Sequence, residues 1–88
     1  METYDAEKAI TLLARCKPLA SKLPQPGEVY TYSPQGEELE ILRDFARLYD
    51  TVSGKQLKLY AGEALLTQIE LLYLLDLMAL VRLRGEEL

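Results

Sequence analysis

The sequence contains no histidine, tryptophan or asparagine, and Cys16 is its only cysteine. Catalysis of the Ser-His or Cys-His type needs a histidine base, so these classes of active site are excluded. A single cysteine excludes a disulfide within the chain. Without histidine, a zinc site and the Glu-x-x-His pattern of di-iron bundles are not expected. We therefore predict a protein that is not an enzyme, with no catalytic residue, metal or cofactor.

The sequence also lacks an excess of basic residues, since 14 acidic residues stand against 10 basic ones and give a net charge of −4. An acidic protein of this kind is not expected to bind nucleic acid or anionic lipid through diffuse charge attraction. The segment METYDAEK carries acids where a secretion signal would carry positive charge and then an apolar run. Together with the scarcity of cysteine, this favours a cytoplasmic protein.

A length of 88 residues predicts one domain, covering residues 1–88. A core this small is a marginal source of stability, and small domains commonly supplement it with disulfides, a metal or oligomerisation. Because the composition excludes disulfides within the chain and argues against a metal site, we expect self-association or docking on a protein partner.

Apolar residues at helical spacing predict three helices: helix A over residues 4–22, helix B over residues 34–52 and helix C over residues 63–84. Helix A is expected to kink at Pro18, which cannot donate a backbone hydrogen bond.

Short polar motifs set the expected boundaries of helices B and C. Ser33 as N-cap and Pro34 at the first position predict the start of helix B. The pair Ser53 and Gly54 predicts its end, and Gly85 predicts the end of helix C.

Two short stretches have the residues of extended chain. Residues 28–32 are rich in β-branched and aromatic side chains, and residues 55–60 alternate polar with apolar. The predicted fold class is therefore mainly α: a small three-helix domain with one or two short extended segments and a long apolar C-terminal helix.

Helix C contains the apolar run LLYLLDLMALV, residues 71–81. This run is too short to span a hydrocarbon core of about 30 Å, so no membrane role is expected. Polar residues in the first two turns, Glu63, Thr67 and Glu70, share one face and predict exposure to solvent there. The same face continues into four apolar residues, which form the predicted partner interface: Leu74, Leu77, Met78 and Val81. A protein partner, most simply a second copy, is expected to cover them; the alternative is a helix wrapped within one chain.

Asp76 is the one charge in the apolar run. The helical projection places it in the direction of four apolar residues, Leu65, Ile69, Leu72 and Leu83. Three interpretations remain open: an exposed edge of the helix, a buried or interfacial acid, or a ligand-binding or catalytic acid. In the second case the carboxylate would be held by another chain or by one of three arginines, Arg15, Arg43 or Arg47.

Tyr30 and Tyr32 share one face of the extended segment in a connector rich in proline. Tyrosine rings bury much area at a small entropic cost, so these two residues form a second part of the predicted interface. Alternatively, they cover the core beside Phe45.

The predicted function is that of a small interaction module, acting as adaptor, regulator or inhibitor and self-associating through the C-terminal half of helix C. The alternative is a small DNA-binding regulator of winged-helix-like type. Small basic spots favour the alternative, at Lys55 and Lys58 and at Arg82 and Arg84. No predicted helix, however, carries the several Arg, Lys, Asn or Gln residues that read base edges.

Overall fold

A computed structural model of the protein describes residues 5–22 and 34–85. These residues form four helices, with no strand in either stretch: α1 (Ala6–Ala20), α2 (Glu37–Thr51), α3 (Gly54–Glu63) and α4 (Gln68–Leu83). Helix α1 packs against each of the other three, and α2 also packs against α4. The mainly α class is confirmed.

One apolar core lies between the helices. Its largest fully buried side chains come from α1, α2 and α4: Leu13, Cys16, Leu19, Leu42, Phe45, Leu48, Tyr73, Leu74 and Leu77. Within the described residues, no buried side-chain nitrogen or oxygen lacks a hydrogen-bond partner. The core is therefore closed without an unsatisfied polar group among these residues.

Helix α1 begins at an aspartate cap and continues through a proline. The Asp5 carboxylate accepts a hydrogen bond from the Lys8 backbone N–H at 2.8 Å. Pro18 lies inside the helix, and its carbonyl accepts from the Ser21 hydroxyl at 2.7 Å. Core packing of Cys16 and Leu19 on either side of the proline keeps this stretch helical.

Helix α2 begins at Glu37, later than the predicted start at residue 34. Gly36 precedes it with a φ of 60°, in the left-handed region that glycine adopts without strain. The predicted cap Ser33 lies outside the described residues.

The prediction of an extended segment over residues 55–60 is wrong, because these residues lie in α3. Leu57 and Leu59 would share one face of a strand, but Leu57 is 3% exposed and Leu59 is 63% exposed. Leu57 and Ala61 are buried together, at the spacing of one helical turn. The other predicted segment, residues 28–32, lies outside the described residues.

The single long helix C is also wrong, since residues 63–84 contain the end of α3, a turn and α4. The turn closes α3 with a hydrogen bond from the Leu66 N–H to the Ala61 carbonyl at 2.8 Å and one from the Leu65 N–H to the Gly62 carbonyl at 3.1 Å. Leu65 has a φ of 64°. Thr67 then caps the 16-residue α4, so the apolar C-terminal helix is shorter than predicted.

Candidate functional site

The four apolar residues of the predicted interface lie in the core. Leu74, Leu77, Met78 and Val81 are each at most 5% exposed. The rest of the chain covers them, which is the alternative that the sequence left open. None of the four therefore exposes more than 5% of its surface to a partner in this fold. Tyr30 and Tyr32, the other predicted interface residues, lie outside the described residues.

The contacts of Glu70 explain why the sequence predicted solvent exposure for a face of α4 that is in fact buried. The Thr67 hydroxyl accepts from the Glu70 N–H at 3.1 Å, and the Glu70 carboxylate accepts from the Thr67 N–H at 2.9 Å, which is a reciprocal capping box. The side chain of Glu70 is only 14% exposed and points toward α1, where it pairs with Lys17 at 3.0 Å. The polar residues at the start of α4 therefore serve its cap, and the face that they share with the apolar residues is the inner face.

Lys17 fixes the corner between α3 and α4. Its ammonium group donates to the Leu65 carbonyl at 2.7 Å as well as to Glu70. The Thr67 N–H and Lys17 both donate to the Glu70 carboxylate, and these hydrogen bonds lower the pKa of Glu70 from its ordinary value. This corner sets the orientation of α4 on α1, and with it the face that α4 turns outward.

The outward face of α4 carries an apolar stripe with Asp76 at its centre. We define the Asp76 stripe by five residues: Ile69, Leu72, Asp76, Ala79 and Leu83. Ile69 is 68% exposed, Leu72 is 53% exposed and Leu83 is 84% exposed, while Asp76 and Ala79 are also classed as exposed. The sequence placed Asp76 in this direction but predicted that the partner contact lay on the other side.

The spacing of the stripe is three, four, three and four residues. This is the a and d spacing by which one helix packs along another. From Ile69 to Leu83 the stripe is about 21 Å long at about 1.5 Å per residue. An apolar hollow of about 240 Å³ at its C-terminal half is lined by Asp76, Ala79, Leu80 and Leu83.

The described ion pairs leave out Asp76. They join Lys17 with Glu70, Lys22 with Glu38 and Arg82 with Asp50. Of the three interpretations of Asp76, the exposed edge of the helix agrees with its position. Its neighbours along this face of α4 are apolar, and its side chain is exposed to water.

A second concave surface lies between α1 and α2. This groove of about 530 Å³ is lined by residues of both charges and by two uncharged side chains: Asp5, Glu7, Lys8, Thr11, Leu12, Arg15 and Asp44. The neighbouring thiol of Cys16 is buried, and desolvation raises its pKa to about 12, so it is not a nucleophile at neutral pH. Among the described residues, no group of three or more acidic or cysteine side chains lies close enough together to hold a metal ion.

No protein-family model, curated protein or solved structure matches this chain. None of the helices within residues 5–22 and 34–85 is long and apolar enough to cross a membrane. Of the features described, the Asp76 stripe is the surface whose composition departs most from that of a solvated helix face.

Proposed function

We propose that the protein is a small, non-enzymatic interaction module that binds another protein through the Asp76 stripe. The observation that carries this proposal is the row of large apolar side chains on α4 that the chain leaves in water. Ile69, Leu72 and Leu83 expose most of their surface, at a spacing that aligns them on one face. Contiguous apolar patches of several hundred Å² commonly mark interaction sites.

The fold does not depend on these side chains. The inner face of α4 already supplies Leu74, Leu77 and Val81 to the core, so α4 is anchored without its outer face. Covering a largely exposed leucine contributes about 1 to 2 kcal/mol at about 25 cal/mol per Å² of apolar surface. A partner that covers these leucines therefore adds a favourable apolar contribution to binding, because folding alone leaves their surface exposed. Such a module acts as an adaptor, regulator or inhibitor by occupying another protein.

Self-association stays a prediction. The four α4 residues predicted for it are buried in this fold, whereas the outer face of α4 is exposed. Support for DNA binding from the basic residues is weaker in this fold, because Arg82 pairs with Asp50 at 3.2 Å. The α3 lysines remain exposed, but two cations on a short helix do not make a recognition surface.

Capture of native partners by the immobilised protein tests the proposal. We expect Leu72→Glu to abolish capture and to keep the helical circular dichroism spectrum. Leu59→Glu is the matched control, since Leu59 is similarly exposed but lies on α3. If the Leu72 variant captures the same proteins as the wild type, or if both variants lose them equally, the Asp76 stripe is not the binding surface.

A further inference from the structure

We infer that the occupant of the Asp76 stripe is an amphipathic helix of another protein that carries one lysine or arginine among its apolar residues, placed to pair with Asp76. This inference rests on the proposed function and adds the chemistry of the partner to it.

The shape of the stripe selects a helix. The apolar residues follow one another at three and four residues, so they form a row along α4 rather than a round pocket. A facing helix inserts its own side chains between such residues along the whole row. A strand has side chains at a period of two and would match this spacing at few points. The row covers four turns of α4, which corresponds to an occupant of about 15 residues.

The charge of the stripe selects the occupant's central residue. Asp76 takes part in none of the described ion pairs, and its neighbours along the stripe, Leu72 and Ala79, are apolar. An occupant that covers Leu72 and Leu83 also removes water from Asp76, which lies between them. A buried carboxylate without a cation is strongly unfavourable, so the occupant has to bring the cation. A lysine or arginine at this point also fixes the register of the two helices, as single polar residues do in coiled coils.

A second copy of the chain does not supply this cation in a register that covers the stripe. In an antiparallel pair centred on Asp76, Ile69 faces Leu83 of the second copy, but the two Asp76 carboxylates meet at the axis. A parallel pair in register makes the same unfavourable contact. If an antiparallel register shifts so that Asp76 faces Arg84 of the second copy, Leu72 lies beyond the end of the second α4 and stays uncovered. In a parallel pair shifted to bring the same two residues together, Leu83 lies beyond that end instead.

Two synthetic helical peptides of three heptads test the inference. Both have leucine at the a and d positions, and they differ only at the central a position, which is arginine in one and glutamate in the other. Fluorescence anisotropy is measured with each labelled peptide at a concentration at which it is monomeric. We expect the arginine peptide to bind the wild-type protein at least tenfold more tightly than the glutamate peptide.

Charge reversal at Asp76 identifies the contact. Asp76→Arg should reverse the preference between the two peptides, whereas Glu63→Arg, the same charge change at an exposed residue of α3, should leave it unchanged. Leu72→Glu should abolish the binding of both peptides. A smaller preference that falls with salt and responds equally to both arginine variants would indicate general charge attraction and overturn the inference.

Other results separate this inference from the proposed function. If both peptides bind equally and Leu72→Glu abolishes both, the stripe binds helices but Asp76 does not choose the partner. If the wild-type protein sediments as a dimer at neutral pH and dimerisation excludes the peptides, the occupant is a second copy and the inference fails. If neither peptide binds while native capture still requires Leu72, the proposed function stands and the helical occupant is rejected.

Discussion

Removal of the Glu70 side chain should loosen the corner at which α3 meets α4. Glu70→Ala deletes the acceptor for the Thr67 N–H and the partner of Lys17. Loss of a helix cap interaction costs about 1 kcal/mol, and loss of a partly exposed ion pair such as this one costs up to about 1 kcal/mol. We therefore expect the free energy of unfolding to fall by about 1 to 2 kcal/mol, a large part of the stability of a domain this small.

The destabilisation should depend on pH in a definite direction. Because hydrogen bonds lower the pKa of Glu70 in the folded protein, folding favours the ionised carboxylate. This contribution is fully present above the pKa of glutamate in the unfolded chain and is lost as the pH falls through the lowered pKa of the folded state. The wild type and the variant should therefore differ most at pH 7 and differ less at pH 3.

Urea unfolding followed by circular dichroism measures both effects. Glu63→Ala is the matched control, because it removes an exposed acid that belongs to no described ion pair. Lys17→Met, alone and combined with Glu70→Ala, separates the ion pair from the cap in a double-mutant cycle. A loss below about 0.3 kcal/mol at pH 7, or a loss of the same size at pH 3, would refute the role of this corner, since caps are worth about 1 kcal/mol.

Three further predictions concern other parts of the fold. Leu65→Gly should raise the free energy of unfolding by about 1 kcal/mol and with it the urea midpoint, because Leu65 has a φ of 64° and glycine adopts this conformation without strain. A lower midpoint would contradict this. In the same assay, Leu77→Ala should lower the free energy of unfolding by about 3 kcal/mol, because Leu77 is 1% exposed. Leu72→Ala should lower it by less than about 1 kcal/mol, because Leu72 is 53% exposed. Similar losses for the two variants would mean that the inner and outer faces of α4 are assigned wrongly. Cys16 should resist thiol reagents at pH 8 until urea unfolds the protein, since burial raises its pKa to about 12; rapid labelling of the native protein would contradict this.

Helices α1 and α2 could be predicted from the sequence because their apolar residues recur at helical spacing over several turns. Leu42, Phe45 and Leu48 are all buried on one face of α2. Long periodic stretches of this kind specify a helix with little help from the rest of the fold.

Helix α3 could not be predicted with the same certainty, because KQLKLY is short and fits two periods. Leu57 and Leu59 alternate as in a strand, but Leu57 and Ala61 are also one helical turn apart. The start of α3 lies at Ser53, whose side chain accepts from the Gln56 N–H at 3.2 Å. From the sequence, Ser53 and Gly54 predict only the end of the preceding helix. A serine followed by glycine can end one helix and cap the next, and the local sequence does not distinguish the two.

The start of α4 was present in the sequence as Thr67 and Glu70, three residues apart. This is the signature of a capping box, and it would have divided the predicted long helix at the correct turn. On a single long helix, the same two polar residues indicate a solvated face. Ile69, Leu72, Ala79 and Leu83 were consequently missed as a surface, although their spacing around Asp76 was visible. Which face of a nearly all-apolar helix turns outward depends on contacts distant in sequence, such as that with Lys17.

The central position of α1 has a consequence for how the chain acquires its structure. Helix α1 packs extensively against each of the other three described helices, and Lys17 bonds to Glu70 across 53 residues. Contacts of such high sequence separation form later than local ones, because a long loop has to close before they can form. During synthesis, α1 leaves the ribosome before the other three described helices and stays without its full set of neighbours until α4 follows. The core can close only after α4 has been made, and a chain cut before α4 leaves the apolar face of α1 exposed to aggregation.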